Sequence, residues 1–268
     1  MPSIKVKGIL PGFVIVVAVF AGYAYAQTPA ITTSSSAVSM STSTPFTRVP
    51  ILIYHSVRPY YPGITKLVKE YTVPPDIFDD QLKYLRDNGY TPITLDDLTA
   101  HFNSNKLLPD RPVIITFDDG WENQYRYAFP IMKKYGYTGI FYIYSNPIDR
   151  KVFMKWDEVK TMVDANMVIG DHTKSHPELS KIKDDATLRK EIEDSKKIIE
   201  AKIGKPVNDF AYPFGDFNSH TIEIVKQAGY QSARTVFKGT HQTNDIVFTL
   251  HGIIVTGDFN RFVSLINE

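Results

Sequence analysis

The chain has 268 residues, 43% hydrophobic and 22% charged, with 30 Lys+Arg against 29 Asp+Glu and a formal net charge of +1. That length fits one large domain or two small ones, and the charge balance leaves no footprint for nucleic acid and no polybasic patch for a membrane. Cysteine is absent, which excludes disulfides, thiolate metal sites, a cysteine nucleophile and a cysteine-linked lipid anchor.

At the start of the chain Lys5 and Lys7 precede the apolar stretch 8–27, which carries Ala24-Tyr25-Ala26 near its end. A charged start, an apolar run and a small-x-small site read as a secretory signal. The run also has the length of roughly 18 or more apolar residues that spans a bilayer. Residues 1–26 are therefore expected to be a signal peptide or an N-terminal anchor, the tether being 8–26. Either way the rest lies outside the cytoplasm, secreted or held on the outer face of the cytoplasmic membrane. Residues 27–47 are Ser/Thr-rich and read as a flexible linker, and 48–268 as the folded domain.

The apolar run 49–57, "VPILIYHSV", predicts a buried strand. In 76–90, Phe78, Leu82 and Leu85 recur at helical spacing, with Asp76 as the cap and Gly89 as the stop. A short helix capped by Thr94 follows over 94–102, then a strand over 113–117. A helix covers 123–135 and stops at Gly136. Strands are expected at 138–145 and 167–172, with a helix at 156–165 between them. Helix 187–203 closes at Gly204. A strand at 209–215 runs into a Pro-Gly turn, a helix over 219–228 is capped by Ser219, and "SARTVF" and "FTLHGIIV" give the last strands. Strands alternating with helices imply parallel βαβ units. No Gly-rich phosphate loop is present, and several strands end in polar residues. The fold expected is α/β, a closed or partly closed β/α barrel with its site at the C-terminal strand ends.

Two stretches carry the chemistry. "VIITFDDG", 113–120, ends a buried strand in two adjacent carboxylates, Asp118 and Asp119. Unligated, they would repel and one would tend to protonate; a divalent cation removes that penalty. "GDHTKSHPELS", 170–180, sets His172 and His176 four apart, which in a helical turn puts both rings on one side. Two imidazoles and one carboxylate form a common catalytic zinc set with a position open for water. One aspartate can be the third ligand while the other takes a proton from the activated water.

"TFDDG" followed by "HTKSH" resembles the first two motifs of the polysaccharide deacetylases, the family-four carbohydrate esterases. The likeness extends over most of 48–268: "YHSV", "LPDRPVIITFDDGWEN", "IGDHTKSHPELS" and "FAYPFGDFN" are similar to the branch with bacterial cell-wall and poly-N-acetylglucosamine deacetylases. The resemblance implies a distorted (β/α) barrel and a divalent metal, zinc first, with cobalt, manganese, nickel or iron as alternatives. It implies Asp118 as general base, with Asp119, His172 and His176 as ligands. The family often places an arginine in the third motif to orient the base; Ala211 stands there, so that contact is absent or supplied elsewhere. Tyr212 and Phe214 fall at the oxyanion region, where a main-chain N–H is the donor. "FTLH", 248–251, matches the motif of the general acid and puts His251 in that role.

His55, at the end of the first strand, is a candidate pocket residue, Asp171 a support for His172, and Trp121 and Trp156 are candidate sugar platforms. The expected function is metal-dependent removal of N-acetyl groups from a GlcNAc-containing polysaccharide of the poly-N-acetylglucosamine, peptidoglycan or chitin type. The alternatives are an O-acetyl polysaccharide esterase, which leans less on an acid, and a non-catalytic glycan-binding protein.

Overall fold

A computed structural model describes residues 46–268, so the expected signal or anchor, and the linker up to residue 45, lie outside the described residues. Among the described residues, no helix is long and apolar enough to cross a membrane. The last residue of the expected linker, Thr47, pairs antiparallel with Gln242 in a two-stranded ribbon.

Seven parallel strands close on themselves in chain order: β1 (Ile51–Tyr54), β2 (Pro112–Phe117), β3 (Ile140–Ile143), β4 (Val168–Asp171), β5 (Asp209–Ala211), β6 (Ser232–Lys238) and β7 (Leu250–Ile254). β1 closes the ring by pairing with both β2 and β7. The short strand Thr91–Pro92 adds to the start of β2. The expected distorted β/α barrel is thus what the chain forms. The distortion is concentrated between β6 and β7, where β6 advances four residues from Arg234 to Lys238 against two on β7. Such a bulge re-aims side chains locally.

The strands read as continuous apolar runs because both faces are buried. Alternate residues divide between two clusters. Ile51, Ile114, Ile140, Tyr142, Ala211 and Leu250 form one set. Leu52, Ile115, Phe117, Phe141 and Phe210 form the other, packed with helix residues such as Phe78 and Leu82. With side chains alternating in and out of a barrel, the first set is the interior and the second faces the helical layer. Leu95 and Leu98 of helix Leu95–Ser104 join the interior set. That helix therefore plugs the N-terminal end of the barrel and leaves the C-terminal strand ends for the site.

Most expected elements form within a few residues of their expected bounds. Thr94 caps its helix in a full capping box, and helices end at Gly136 and Gly204. Three local expectations differ. The helix Pro75–Asp87 starts on Pro75 and Asp76 makes no cap, because proline already presets the first helical turn. Asn218, one residue before Ser219, caps the helix Ser219–Gln227 by accepting from Thr221 N. A C-terminal helix, Phe259–Asn267, was not anticipated; Asp258 caps it, and it buries Phe262, Leu265 and Ile266.

Candidate active site

The Asp-Asp-Gly turn shows how two neighbouring carboxylates serve different partners. β2 ends at Phe117, and Asp119 and Gly120 both take left-handed backbone, φ 77° and 74°. Gly120 tolerates this, and a Cβ there would also crowd Ile143 at 3.1 Å. The chain reverses so sharply that Asp118 stays inside the barrel mouth, 3% exposed, while Asp119 turns to the histidines. Its Oδ1 lies 3.8 Å from His172 Nε2 and 3.4 Å from His176 Nε2. Its Oδ2 accepts from Trp121 Nε1 at 2.9 Å.

Asp119, His172 and His176 offer ligand atoms all within 4.8 Å of one another, the spacing of a metal site. His172 donates from Nδ1 to the Ala211 carbonyl at 2.6 Å. A carbonyl only accepts, so Nδ1 holds the proton and Nε2 keeps its lone pair toward the cluster. Burial pushes the His172 imidazole down to about 4, so the ring is neutral at pH 7, the form a ligand needs. Burial raises the Asp119 carboxyl, but the hydrogen bond with His176 and the fields of the three surrounding histidines outweigh it and hold it well below the usual carboxylate range. The donor set, the fixed tautomer and the neutral ring all fit a divalent cation.

The histidine pair is not helical, contrary to the spacing argument. Residues 172–176 form a loop in which Thr173 (φ 72°) and His176 (φ 63°) are left-handed. The rings still meet, with centroids 4.8 Å apart. Side chains from other elements hold the loop. Asp171 accepts from Thr173 N at 2.7 Å, Ser195 Oγ at 2.8 Å and Tyr230 OH at 2.5 Å, so it supports His172 from behind. Glu191 accepts from Ser175 N and Oγ at 2.8 and 2.7 Å. Asp216 accepts from Ser180 N and Oγ at 2.7 and 2.8 Å, joining this loop to the turn that carries Phe214.

Arg234 answers the question raised by Ala211. The two residues are register partners on β6 and β5, and the fully buried Arg234 donates from Nη2 to Asp118 Oδ1. The guanidinium thus comes from the neighbouring strand. Its carbon also lies 4.9 Å from the ring centroid of Tyr142. Asp118 Oδ2 remains opposite His55 Nε2 at 3.9 Å. Gln124, buried in the π turn Gln124–Ala128, donates through Nε2 to the carbonyls of both His55 and Asp118 and so ties β1 and β2 together at the site. π turns of this kind recur at functional sites. Sequence reasoning missed Arg234, Gln124, Glu191 and Asp216. One signal was available: a lone arginine inside the apolar run "SARTVF" must find a buried counter-charge.

The remaining expected residues divide. Tyr212 is buried at the cavity wall and donates to the Phe248 carbonyl at 3.1 Å. Phe214 sits at φ 58°, is 63% exposed, and meets His176 edge to face at 4.5 Å. The next residue must be Gly215, because a Cβ there would fall 2.5 Å from Val236 Cγ2. Trp121 lines the cavity, but Phe153 stacks on one face at 4.5 Å. Trp156 packs against the core under Lys202, away from the cavity. His251 is not brought to the cluster. It is the second residue of β7, its backbone N–H donates to Gln242 Oε1 and its carbonyl accepts from Gln242 Nε2, and its ring packs on Gly239. The cavity wall from that strand is Ile254, three residues further on. The position that matches the acid motif therefore lies below the barrel mouth.

His55, Asp118, Asp119, Trp121, His172, His176, Tyr212 and Phe214 open into one cavity of about 990 Å³, which Tyr60, Tyr61 and Tyr71 also line. That volume suits a ligand site. The arrangement pairs a cluster that could hold a metal ion with a separately held carboxylate and an imidazole opposite it.

The comparisons with known proteins agree with this geometry. A family model described as polysaccharide deacetylase matches residues 105–233. The poly-beta-1,6-N-acetyl-D-glucosamine N-deacetylase of Staphylococcus aureus (strain MRSA252) is 26% identical over 228 residues, covering 77% of this chain and 78% of its own length. A polysaccharide deacetylase structure from Bacillus cereus has a TM-score of 0.73 at 28% identity, over 82% of this chain and 69% of that one. The Streptococcus pyogenes deacetylase PplD, solved with acetate, shares the fold with a TM-score of 0.76 at 24% identity, over 84% and 99%. Over residues 105–233 the chain is similar to the polysaccharide deacetylase family, and these relatives are themselves polysaccharide deacetylases.

Proposed function

We propose that the site hydrolyses N-acetyl groups on a GlcNAc-containing polysaccharide, of the poly-N-acetylglucosamine, peptidoglycan or chitin type, with a divalent metal at Asp119, His172 and His176. The observation that carries the reading is the pairing of that cluster with Asp118, a carboxylate held apart from it by Arg234. A divalent cation, zinc first among the candidates, supplies Lewis acidity toward an acetyl carbonyl and acidifies a water.

The chain's own residues then divide the work. Arg234 occupies Asp118 Oδ1 and fixes the carboxylate, so Oδ2 is the atom that takes the proton of the attacking water. A main-chain N–H at the Phe214 turn is the candidate donor to the developing oxyanion. Departure of the amine needs a proton on nitrogen. His55, across the cavity from Asp118, is the imidazole best placed to deliver it, in preference to His251.

In this reading 48–268 is the catalytic domain and 27–47 its linker. Residues 1–26 direct it out of the cytoplasm as a signal or an anchor. The substrate class draws support from the name of the Staphylococcus aureus relative. The test is acetate release from poly-β-1,6-N-acetylglucosamine, chitooligosaccharides, peptidoglycan and acetylxylan, with and without chelator. Release from an N-acetylated polymer, abolished by chelation, is expected. Release from acetylxylan alone would make the protein an O-acetyl esterase, and binding without release a glycan-binding protein.

A further inference from the structure

Beside the catalytic cavity lies a second, shallower one of about 530 Å³, lined by the turn Gln124–Ala128, helix Phe129–Tyr135 and helix Trp156–Asp164. The two cavities meet at Glu122 and Arg126, which line both. We propose that this outer cavity is a second sugar-binding subsite, which holds the polysaccharide at units away from the one being deacetylated. The identity of the ligand rests on the deacetylase reading above.

The chemistry of the lining argues for a neutral, hydroxyl-rich ring. Its floor is aromatic: Tyr125 stacks on Phe129 with centroids 5.6 Å apart and planes at 21°. Its rim carries Glu122, Arg126, Lys133 and Glu158. None of these four is in an ion pair among the described residues. Arg126 and Lys133 lie over the rings of Tyr127 and Phe129. Glu158 uses only Oε2, for Lys155 N. Neighbours on the same helices behave otherwise: Lys134 pairs with Asp79 and Lys160 with Asp164. The rim therefore keeps donors and acceptors unspent at the edge of a concave aromatic surface. Two acids and two bases cancel in charge, so the lining selects neither a polyanion nor a polycation, whereas a sugar uses both donors and acceptors around its ring.

The local backbone produces this split. In the π turn the side chains no longer follow the helical repeat. Gln124 goes inward to the His55 and Asp118 carbonyls, while Arg126 faces solvent at the junction of the two cavities. The same turn thus braces the catalytic residues and presents the outer rim, so a chain lying across it would be in register with the active centre.

The experiment compares β-1,6-linked N-acetylglucosamine dimer and hexamer binding by calorimetry, in the full chain carrying Asp118→Asn to stop turnover. The hexamer should bind about tenfold more tightly than the dimer, the size of one lost charged-group hydrogen bond. Adding Lys133→Ala and Glu158→Gln should erase that gap and leave dimer affinity unchanged; Gln still accepts from Lys155 N. A gap that survives both substitutions, or no gap in the parent, overturns the subsite. Acetate release by the protein with Asp118 intact tests the other reading separately. A gap erased as expected in a protein that releases no acetate would keep the subsite and sink the deacetylase.

Discussion

Arg234 reaches Asp118 from inside the barrel, on a strand whose register partner at that level is Ala211. Both partners are buried, with side chains 0% and 4% exposed. Breaking a buried pair by deleting one partner costs about 3–5 kcal/mol, because the other charge is left uncompensated. Arg234→Ala should therefore lose several kcal/mol in urea unfolding. Arg234→Lys keeps a charge but not the planar fork. It should fold and bind metal while its kcat drops by about ten- to a hundredfold, a barrier change of one to two steps of 1.4 kcal/mol. Wild-type turnover in the lysine variant would remove Arg234 from any part in fixing the base.

The two aspartates are separated by their partners, and their variants should separate likewise. Asp118→Asn cannot accept the water's proton and should lose about 10²–10⁴ in turnover with the metal retained. Asp119→Asn removes the anionic member of the candidate metal cluster, which faces two imidazole nitrogens, so its main effect should be on metal affinity. Metal content and kcat measured on both variants decide the matter; the opposite pattern would exchange the roles.

What the sequence makes legible follows from range. The barrel, its strands and the two motif stretches rest on local patterns, and the structure forms them. A grouping of one aspartate with His172 and His176 was reachable because Asp118, Asp119 and His172 lie just after strand ends that converge and His176 is four residues from His172; the choice of Asp119 came from the family resemblance. Arg234 was not, because its partner is 116 residues away and an arginine in a strand carries no label for where it points. His251 falls short of the cavity for a related reason. A short motif fixes a residue's place along a strand only if the register is known, and on β7 the cavity is reached at Ile254 instead. The helical expectation for His172 and His176 failed because the i, i+4 spacing is also compatible with a loop held in two left-handed conformations.

Removal of the metal should abolish acetate release, and zinc or cobalt should restore it. His176→Ala should weaken binding with little loss of fold, since the residue lies in a surface loop. Glu191 is a subtler case. Its two bonds to Ser175 hold the residue beside His176, and partners behind a ligand typically contribute 10–100-fold in affinity. Glu191→Ala should lower zinc affinity by about tenfold in a chelator competition, with the melting temperature of the metal-free protein nearly unchanged. Unaltered zinc affinity would show that the loop is positioned without it.

The choice of general acid rests on His55 against His251. An amine leaves only when protonated, whereas the phenolate of a nitrophenyl acetate leaves unaided. His55→Ala should therefore cut N-deacetylation by about 10²–10⁴-fold and hydrolysis of the activated ester far less. His251→Ala should leave the ratio of the two activities unchanged. A selective loss of amide hydrolysis in His251→Ala instead would return the role to the motif residue.

Asp209 offers a test of the barrel's other end. It is 1% exposed, and Ser232 Oγ donates to it at 2.7 Å. Burial pushes its carboxyl up to about 7, against the opposing effects of the Ser232 bond and Lys196 and with help from Asp96. In the unfolded chain the same group sits at its ordinary value of 3.8. Between those two values the folded protein keeps a proton that the unfolded chain releases, so raising the pH favours unfolding. The penalty is absent below about 4, grows as the pH rises toward 7, and stays constant above. Asp171, pushed up to about 7 by burial, acts in the same direction, so only a comparison with a variant isolates Asp209. Asn cannot ionise and can still accept from Ser232. Asp209→Asn should therefore gain stability relative to wild type between pH 5 and pH 8, by up to a few kcal/mol at about 1.4 kcal/mol per unit, read from urea midpoints at both values. A difference between the two proteins that does not change with pH would mean that Asp209 is ionised in the fold and that Lys196 compensates it.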